Sequence, residues 1–290
     1  MDYLLNVLFS IVFDGVAYGM ILFIISVGLS ITMGLMGFVN LAHGAFAMAG
    51  GYVAVTLMNQ AGVPFALALI AAFLAVAAFS VAFERILYAR LYGAGELDQV
   101  LLTIGLVFMS IAAATYIWGP SAQPITLPAV LTGRIDLGIR EVPVYRLFMI
   151  VAGAVIMVAL WLGFERTRFG AQIRAAVDNR RMTQSLGINV DRLFTVTFAV
   201  GSGLAAVGGG LGVEIWGLDP DYPIEHLIIF LIVVAVGGLG SIKGAFVAAL
   251  LLGVIDNAGK YLLPEFGSFF IYVTMIAVLL LRPAGLFGRS

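Results

Sequence analysis

An all-α membrane bundle of many spans is the fold class this chain predicts, and three observations predict it. Of its 290 residues, 62% are hydrophobic and 11% are charged. A soluble domain carries about 25% charged residues, so this chain has too few to cover a water-facing surface. The mean hydropathy is +1.10. The apolar residues come in runs of roughly 17–25, enough for a helix to cross a bilayer, and not in the ~10-residue alternation of an outer-membrane barrel. In lipid every backbone polar group must be satisfied internally, so such runs are helices.

Composition also excludes classes. The net charge is −1, which argues against a nucleic-acid partner. Cysteine is absent, which excludes disulfides, thiolate nucleophiles and iron–sulfur clusters. The two histidines, His43 and His226, stand far apart and without the ligand spacing of a zinc site. No GxxxxGK[ST] phosphate loop occurs. The chain is therefore expected to hold no cofactor or metal and to have no catalytic residue of its own. MDYLLNVLFS has no basic region and no A-x-A-like cleavage site follows it, so the first apolar run reads as a retained span.

The first span covers roughly residues 9–33. It contains Gly15-x-x-x-Gly19, a spacing that lets another helix approach closely, and Asp14 near its start reads as an interfacial carboxylate. Next comes GLMGFVNLAHGAFAMAGGYVAV, residues 34–55, with five glycines, Asn40 and His43 in an otherwise membrane-like stretch. Glycine costs about 1 kcal/mol per helical position. Polar side chains at bilayer depth usually face a protein interior or a water-filled path. The reading is a Gly-rich break or re-entrant turn near residues 34–40, then a second span over 41–58. Asn40, His43 and Gly44 either line a solute pathway or bond backbone groups freed by the break.

A third span covers 64–83. A polar stretch, 84–99, carries Arg85 and Arg90. In the fourth span, 100–118, Thr103 and Gly105 mark ordinary helix packing or a second pathway wall. The loop 119–146 holds four prolines, and Arg134-Ile135-Asp136-Leu137 suits a small hairpin strand. A fifth span, 147–163, leads to FERTRFGAQIRAAVDNRRMTQSLGINVDR, residues 164–192. This loop holds six of the fifteen Lys and Arg residues.

Residues 172–186 of that loop lack glycine and proline and read as one helix. Ile173, Ala176, Val177 and Leu186 share part of one face, and Gly187 is placed just past its end. A basic helix of this kind lies on anionic headgroups, at about 1 kcal/mol per basic residue, or enters a groove on a soluble partner. The sixth span, 193–213, is rich in small residues and includes Gly208-x-x-x-Gly212, which suits a tightly packed central helix. After an acidic loop, 214–225, come a short seventh span (226–236), an eighth (245–263) and a ninth (266–281). Depending on whether the break is a full turn, the count is eight or nine. Gly238-Leu239-Gly240-Ser241-Ile242, followed by Lys243-Gly244-Ala245-Phe246, echoes Gly34-Leu35-Met36-Gly37 and His43-Gly44-Ala45-Phe46. Paired Gly-interrupted segments point to a transport site between repeats.

Alternation of spans puts eleven basic residues on one side (Arg85, Arg90, the six loop arginines, Lys243, Arg282 and Arg289) and four on the other (Arg134, Arg140, Arg146, Lys260). The positive-inside rule makes the first side cytoplasmic, with the C-terminus on it.

The segments GLSITMGLMGFVNLAHGAFAMAGGYVA, RTRFGAQIRAAVDNRRMTQSLGINVDRLFTVTFAVGSGLAAVGG, GGLGSIKGAFVAALLLGV and LLLRPAGLFGR resemble, in order and at similar spacing, the permease subunits of branched-chain amino acid ABC importers, the LivH/LivM type. Asn40-x-x-His43-Gly44 resembles the LivH branch. The resemblance covers nearly the whole chain and implies one transmembrane permease domain, residues 1–290, in a bacterial inner membrane. It would be paired with a LivM-like second permease, two cytoplasmic ATPases that bind ATP-Mg, and a periplasmic solute-binding protein. Residues 171–187 would be the coupling helix, with Arg174, Ala175, Ala176, Asp178, Leu186 and Gly187 in the docking region. Arg174 stands where the family's pattern has a glutamate before the alanine pair. The rival reading is an ion-coupled transporter working without an ATPase. It wants a carboxylate deep in a span, and Asp14, Glu84, Glu214 and Asp256 all fall near predicted span ends.

Overall fold

Each long apolar run folds into a helix, and glycines or N-caps mark where the helices stop and start. The structure, a computed structural model, describes residues 2–288 apart from 39, 137, 139 and 268. In chain order come α1 (Asp2–Met36), α2 (His43–Ala61), α3 (Phe65–Ile86), α4 (Glu96–Trp118), the strands β1 (Arg134–Asp136) and β2 (Glu141–Pro143), α5 (Val144–Glu165), α6 (Arg168–Asp178), α7 (Arg180–Ser185), α8 (Val190–Trp216), α9 (Tyr222–Gly237), α10 (Ile242–Leu262) and α11 (Phe269–Leu281). Helices α1, α3, α4, α5, α8 and α10 are long and apolar enough to cross a membrane. Helices α9 and α11 are shorter and apolar, and α2 has the length of a span, 19 residues. The chain is a multi-pass helical membrane protein.

The bundle is built outward from α1 and α8, which run antiparallel. Gly28 backs onto Gly201, and Ile25 fills the space left at Gly208. On the other side of α1 lies α10. A Cβ on Gly15 would sit 2.6 Å from the Cα of Val254, and one on Gly19 would sit 2.8 Å from the Ala249 oxygen. The Gly15-x-x-x-Gly19 spacing therefore does admit a neighbouring backbone. Helices α2 and α3 cover the far side of α8, and α9 fits between α1, α2 and α10. Helices α4 and α5 lie outside this core with few of their side chains buried, as spans that meet lipid or another protein do.

The two ends of the bundle differ. One carries the β1–β2 hairpin, antiparallel with Ile135 opposite Val142. This is the expected hairpin, although Leu137 itself lies outside the described residues. It is tied to α1 by Arg140 donating to the Ser10 hydroxyl, and the Arg146–Asp14 ion pair ties the first turn of α5 to α1 beside it. The other end carries α6, α7, the α3–α4 connection, the turn at 238–241 and the tail after α11. Arg289 of the charge count lies outside the described residues.

Candidate functional site

The break after α1 falls where the glycines predicted it, and its polar residues close it. Helix α1 ends at Met36, and Gly37 takes a left-handed φ of 60°, a conformation that costs glycine little. The Asn40 Oδ1 accepts a hydrogen bond from the Ala42 N–H at 3.1 Å and another from the Tyr88 hydroxyl at 3.1 Å. His43, the first residue of α2, has its Nε2 2.9 Å from the Ile25 carbonyl. A carbonyl only accepts, so Nε2 carries the proton. Ile25 lies eleven residues before the end of α1, about 16 Å along a helix axis at 1.5 Å per residue, so α2 begins deep in the bundle. Gly44 fits against Pro223 in the first turn of α9. Asn40, His43 and Gly44 are thus brought together in the interior, Asn40 and His43 each 1% exposed. Both side chains bond to other parts of the chain, and among the described residues the Asn40 amide nitrogen has no partner.

Thr103 and Gly105 are not part of this group. The Thr103 hydroxyl bonds back to Gln99 and Val100 within α4. Gly105 is on the exposed side of that helix with open space where a side chain would stand, so it makes no close helix contact among the described residues.

The two echoing segments meet. Gly34 lies against Gly240, whose N–H donates to the Ser30 carbonyl at 3.0 Å. The tail strengthens this corner, with the Leu286 and Phe287 N–H groups bonding to the Val236 and Gly237 carbonyls at the end of α9. Those carbonyls are orphans of the helix terminus.

The arginine loop is folded, but not as one helix. A continuous helix over residues 172–186 was the expectation, and the structure breaks it at Asn179 (φ −154°, ψ 95°). Asn179 Oδ1 accepts from the Met182 N–H at 3.0 Å and so starts α7. The side chain that reads as a polar helical residue is used as an N-cap, a role asparagine favours. Thr167 caps α6 in the same way, and Asn189 caps α8.

The expected shared apolar face also divides at this break. Ile173 and Ala176 are buried against Val190, Leu193 and Phe194 of α8, with Met36 and Tyr92 packed beside them. Val177, Met182 and Leu186 instead point outward, Met182 63% and Leu186 72% exposed. Ala175 is half-buried and Asp178 exposed. Gly187 does follow the helix end, with φ 81°. The Arg174 guanidinium donates to the Phe164 carbonyl at the end of α5, so Arg174 holds the loop to its own bundle.

Two further contacts tie the loop to the spans, and sequence reading did not assign them. Arg180 pairs with Asp191 at 3.0 Å and lies 4.8 Å from the Phe194 ring centre. Beneath it Glu84, 3% exposed, accepts from the Tyr92 hydroxyl at 2.5 Å and from the Thr195 hydroxyl at 2.8 Å. Burial, the hydrogen bond to Glu84 and that carboxylate's charge all push the Tyr92 hydroxyl well above its usual range, so it stays a donor. A carboxylate in the last turn of an apolar helix was the available signal. Its partner Thr195 lies 111 residues away in the chain.

The fold and these sites define a class, a polytopic helical membrane protein organised around a broken helix and carrying a folded polar loop. The chain belongs to the family of branched-chain amino acid transport system permease components, whose pattern matches residues 11–279. It is 30% identical to the high-affinity branched-chain amino acid transport system permease protein BraD of Pseudomonas aeruginosa, over 95% of this chain and 94% of the relative. It is 28% identical to the corresponding LivH of Escherichia coli over 96% and 94%. With the probable branched-chain amino acid transport permease protein LivH of Methanocaldococcus jannaschii it shares 27% over 94% and 90%. No solved structure matches the chain. The LivH-type resemblance thus stands, and membership in a family of transport-system components does not support the carrier working alone. Two carboxylates that such a carrier could have used, Asp14 and Asp256, are paired with Arg146 and Lys260.

Proposed function

We propose that this chain is a permease subunit of an ATP-driven importer of branched-chain or related amino acids in a bacterial cytoplasmic membrane. Helices α1–α5 and α8–α11 are its nine crossings, residues 1–290 form one permease domain, and the C-terminus is cytoplasmic. The end that carries α6 and α7 holds ten of the described basic residues against four at the hairpin end, which favours that orientation.

The observation that carries the reading is the tip of the arginine loop. Met182 and Leu186 stand exposed on a short helix beyond the spans, in a loop that is otherwise basic. An apolar knob on a polar, water-facing module is the form of a docking element. On this reading two cytoplasmic ATPases, one below this chain and one below a LivM-like second permease, take such knobs into grooves. Residues 171–187 remain the coupling region, with Leu186 and Met182 reaching the ATPase. Ala175, Ala176 and Asp178 shape α6, Gly187 turns the chain back, and Arg174 ties α6 to α5. ATP-Mg is bound and hydrolysed by those partners, and this subunit does no chemistry of its own.

Closure of the ATPases then moves α6 and α7 as one body. Ile173 and Ala176 pass that motion to α8, and Arg180 and Glu84 pass it to α3 and α8. The solute path opens beside the broken segment, where Asn40, His43 and Gly44 stand at mid-depth. Gly105, exposed near Thr103 on α4, faces the second permease. A periplasmic solute-binding protein delivers solute to the hairpin end.

The test is to express the chain with its genomic neighbours, purify it in detergent and assay ATP hydrolysis. Co-purification of two ATPase subunits, with turnover raised by a solute-loaded binding protein, is the expected result, and the stimulating solute names the substrate. A chain that purifies alone and binds no ATPase defeats the reading.

A further inference from the structure

A cavity of about 750 Å³ opens where α3 stops and α8 begins. Its wall includes three guanidiniums, Arg85, Arg180 and Arg192, and two carboxylates, Glu84 and Asp191. The carboxylates are committed. Glu84 accepts from Tyr92 and Thr195, and Asp191 holds Arg180. Arg85 and Arg192 have no ion pair among the described residues, and both are exposed.

The neighbourhood of these two arginines says what they are for. Arg85 is one residue from the end of a helix of membrane length, and Arg192 is in the first turn of another. Both therefore sit at the level of the lipid headgroups. Moving away from the cavity, α3 continues as an exposed apolar face, and α8 adds one exposed apolar residue before it turns into the core. On α3, at helical spacing from Arg85, come Ala82, Ala78 and Leu74. On α8, one turn from Arg192, comes Val196. The two helices pack side by side, so two unpaired cations head the exposed apolar face of α3, with Val196 exposed on the neighbouring helix. Inorganic phosphate would use only the cations. A water-soluble partner would use the cations but leave the apolar face to lipid. An anionic phospholipid uses both.

We propose that Arg85 and Arg192 bind the phosphate of one anionic phospholipid, whose acyl chains lie along the exposed apolar face of α3, beside Val196 of α8. The lipid would rest beside the Glu84–Tyr92–Thr195 cluster and the Arg180–Asp191 pair, and so would brace the joint between the arginine loop and the spans. The binding site itself does not depend on the importer reading.

The experiment uses the full chain, purified in a neutral detergent, stripped of lipid and titrated with phosphatidylglycerol while native mass spectrometry counts bound lipids. Matched-chain phosphatidylcholine and inorganic phosphate are the comparisons. We expect one phosphatidylglycerol to be held preferentially, phosphatidylcholine to bind far more weakly, and inorganic phosphate not to displace the bound lipid. Replacing both residues in R85Q/R192Q should weaken that first binding event roughly tenfold to thirtyfold, while R181Q, a nearby exposed arginine outside the cavity, leaves it unchanged. R85K/R192K keeps both charges and should keep most of the binding, which separates loss of the site from loss of the fold. Equal retention of phosphatidylcholine, displacement by inorganic phosphate, or unchanged binding in a folded R85Q/R192Q overturns the proposal. So does an assembled complex that retains no lipid and in which an ATPase subunit cross-links at positions 85 and 192.

Discussion

Helix α8 and the α6–α7 loop adjoin in sequence but are built on opposite rules. Helix α8 is specified by what it lacks. Gly201, Gly208, Gly209 and Ala206 present almost no side chain, and the backbones of α1 and α2 come into contact there. The loop is specified by what it has, namely Thr167 and Asn179 as caps, Arg174 on the Phe164 carbonyl, Arg180 on Asp191, and Ile173 and Ala176 as its small core. In a bilayer no hydrophobic effect drives helix against helix, so close backbone contact supplies the attraction. In water the loop can be organised by caps, ion pairs and a small apolar cluster. The first arrangement does not tolerate added atoms. The second tolerates many changes in stability terms.

This contrast is sharpest at Gly209, where an added Cβ would fall on the Ala47 carbonyl. Both sides of the contact are backbone, so neither can yield. Gly209→Val should cost more than about 3 kcal/mol and should remove the monodisperse peak of the detergent-solubilised chain on gel filtration. A normal peak would mean that α2 and α8 do not pack as described.

At the joint between the two regions the expected effect is smaller. Glu84→Ala leaves the Tyr92 hydroxyl without its acceptor and the Thr195 hydroxyl with only the Asp191 carbonyl, which should cost about 2 kcal/mol, read as a lower thermal midpoint. Glu84→Gln keeps an acceptor oxygen and should recover most of the loss. Equal loss in the two variants would show that the carboxylate's charge, and not its hydrogen bonds, does the holding.

Within the loop the effect should shrink again. Arg180→Ala removes an exposed ion pair and a cation–π contact, together about 0.5–1 kcal/mol, and the difference from wild type should fade at high salt. A salt-independent loss would assign the effect to the Phe194 contact alone.

The last substitution should leave the spans untouched. Leu186→Glu lies on an exposed side chain and should change the thermal midpoint by less than about 0.5 kcal/mol equivalent, while abolishing solute-stimulated ATP hydrolysis in the assembled importer. Wild-type stimulation would count against docking through this tip. Arg174→Glu is a poorer test, because Arg174 also holds α6 to α5 and its loss mixes docking with folding.

Much of this architecture was legible in the sequence, for identifiable reasons. Span positions follow from apolar runs, because a bilayer accepts few other segments. The break near Gly37 follows from glycine density beside Asn40 and His43. Close approach of a helix to α1 follows from Gly15-x-x-x-Gly19, since that spacing leaves one helix face bare, but that the partner is α10 does not. The loop was legible as a helical, arginine-rich insert, but its division at Asn179 was not. Asparagine is compatible with a helix interior and preferred at an N-cap, and here its Met182 hydrogen bond selects the cap.

By itself, then, the sequence determined that the chain is a membrane-embedded helical bundle, where its long apolar helices run, where the chain breaks between the first and the second, and that its basic charge gathers at one end. These properties are local: each is set by a run of residues and by what a bilayer or a helix terminus tolerates. Only the tertiary structure decided that His43 reaches the Ile25 carbonyl, that the glycine turns at 34 and 240 meet, that Glu84 joins Tyr92 to Thr195, and that Leu186 faces outward while Ile173 faces in. Such pairings link residues up to about two hundred positions apart, and the same side chains suit many alternative partners. The choice among those partners is made when the helices pack, because close packing leaves each polar group few places to satisfy its hydrogen bonds.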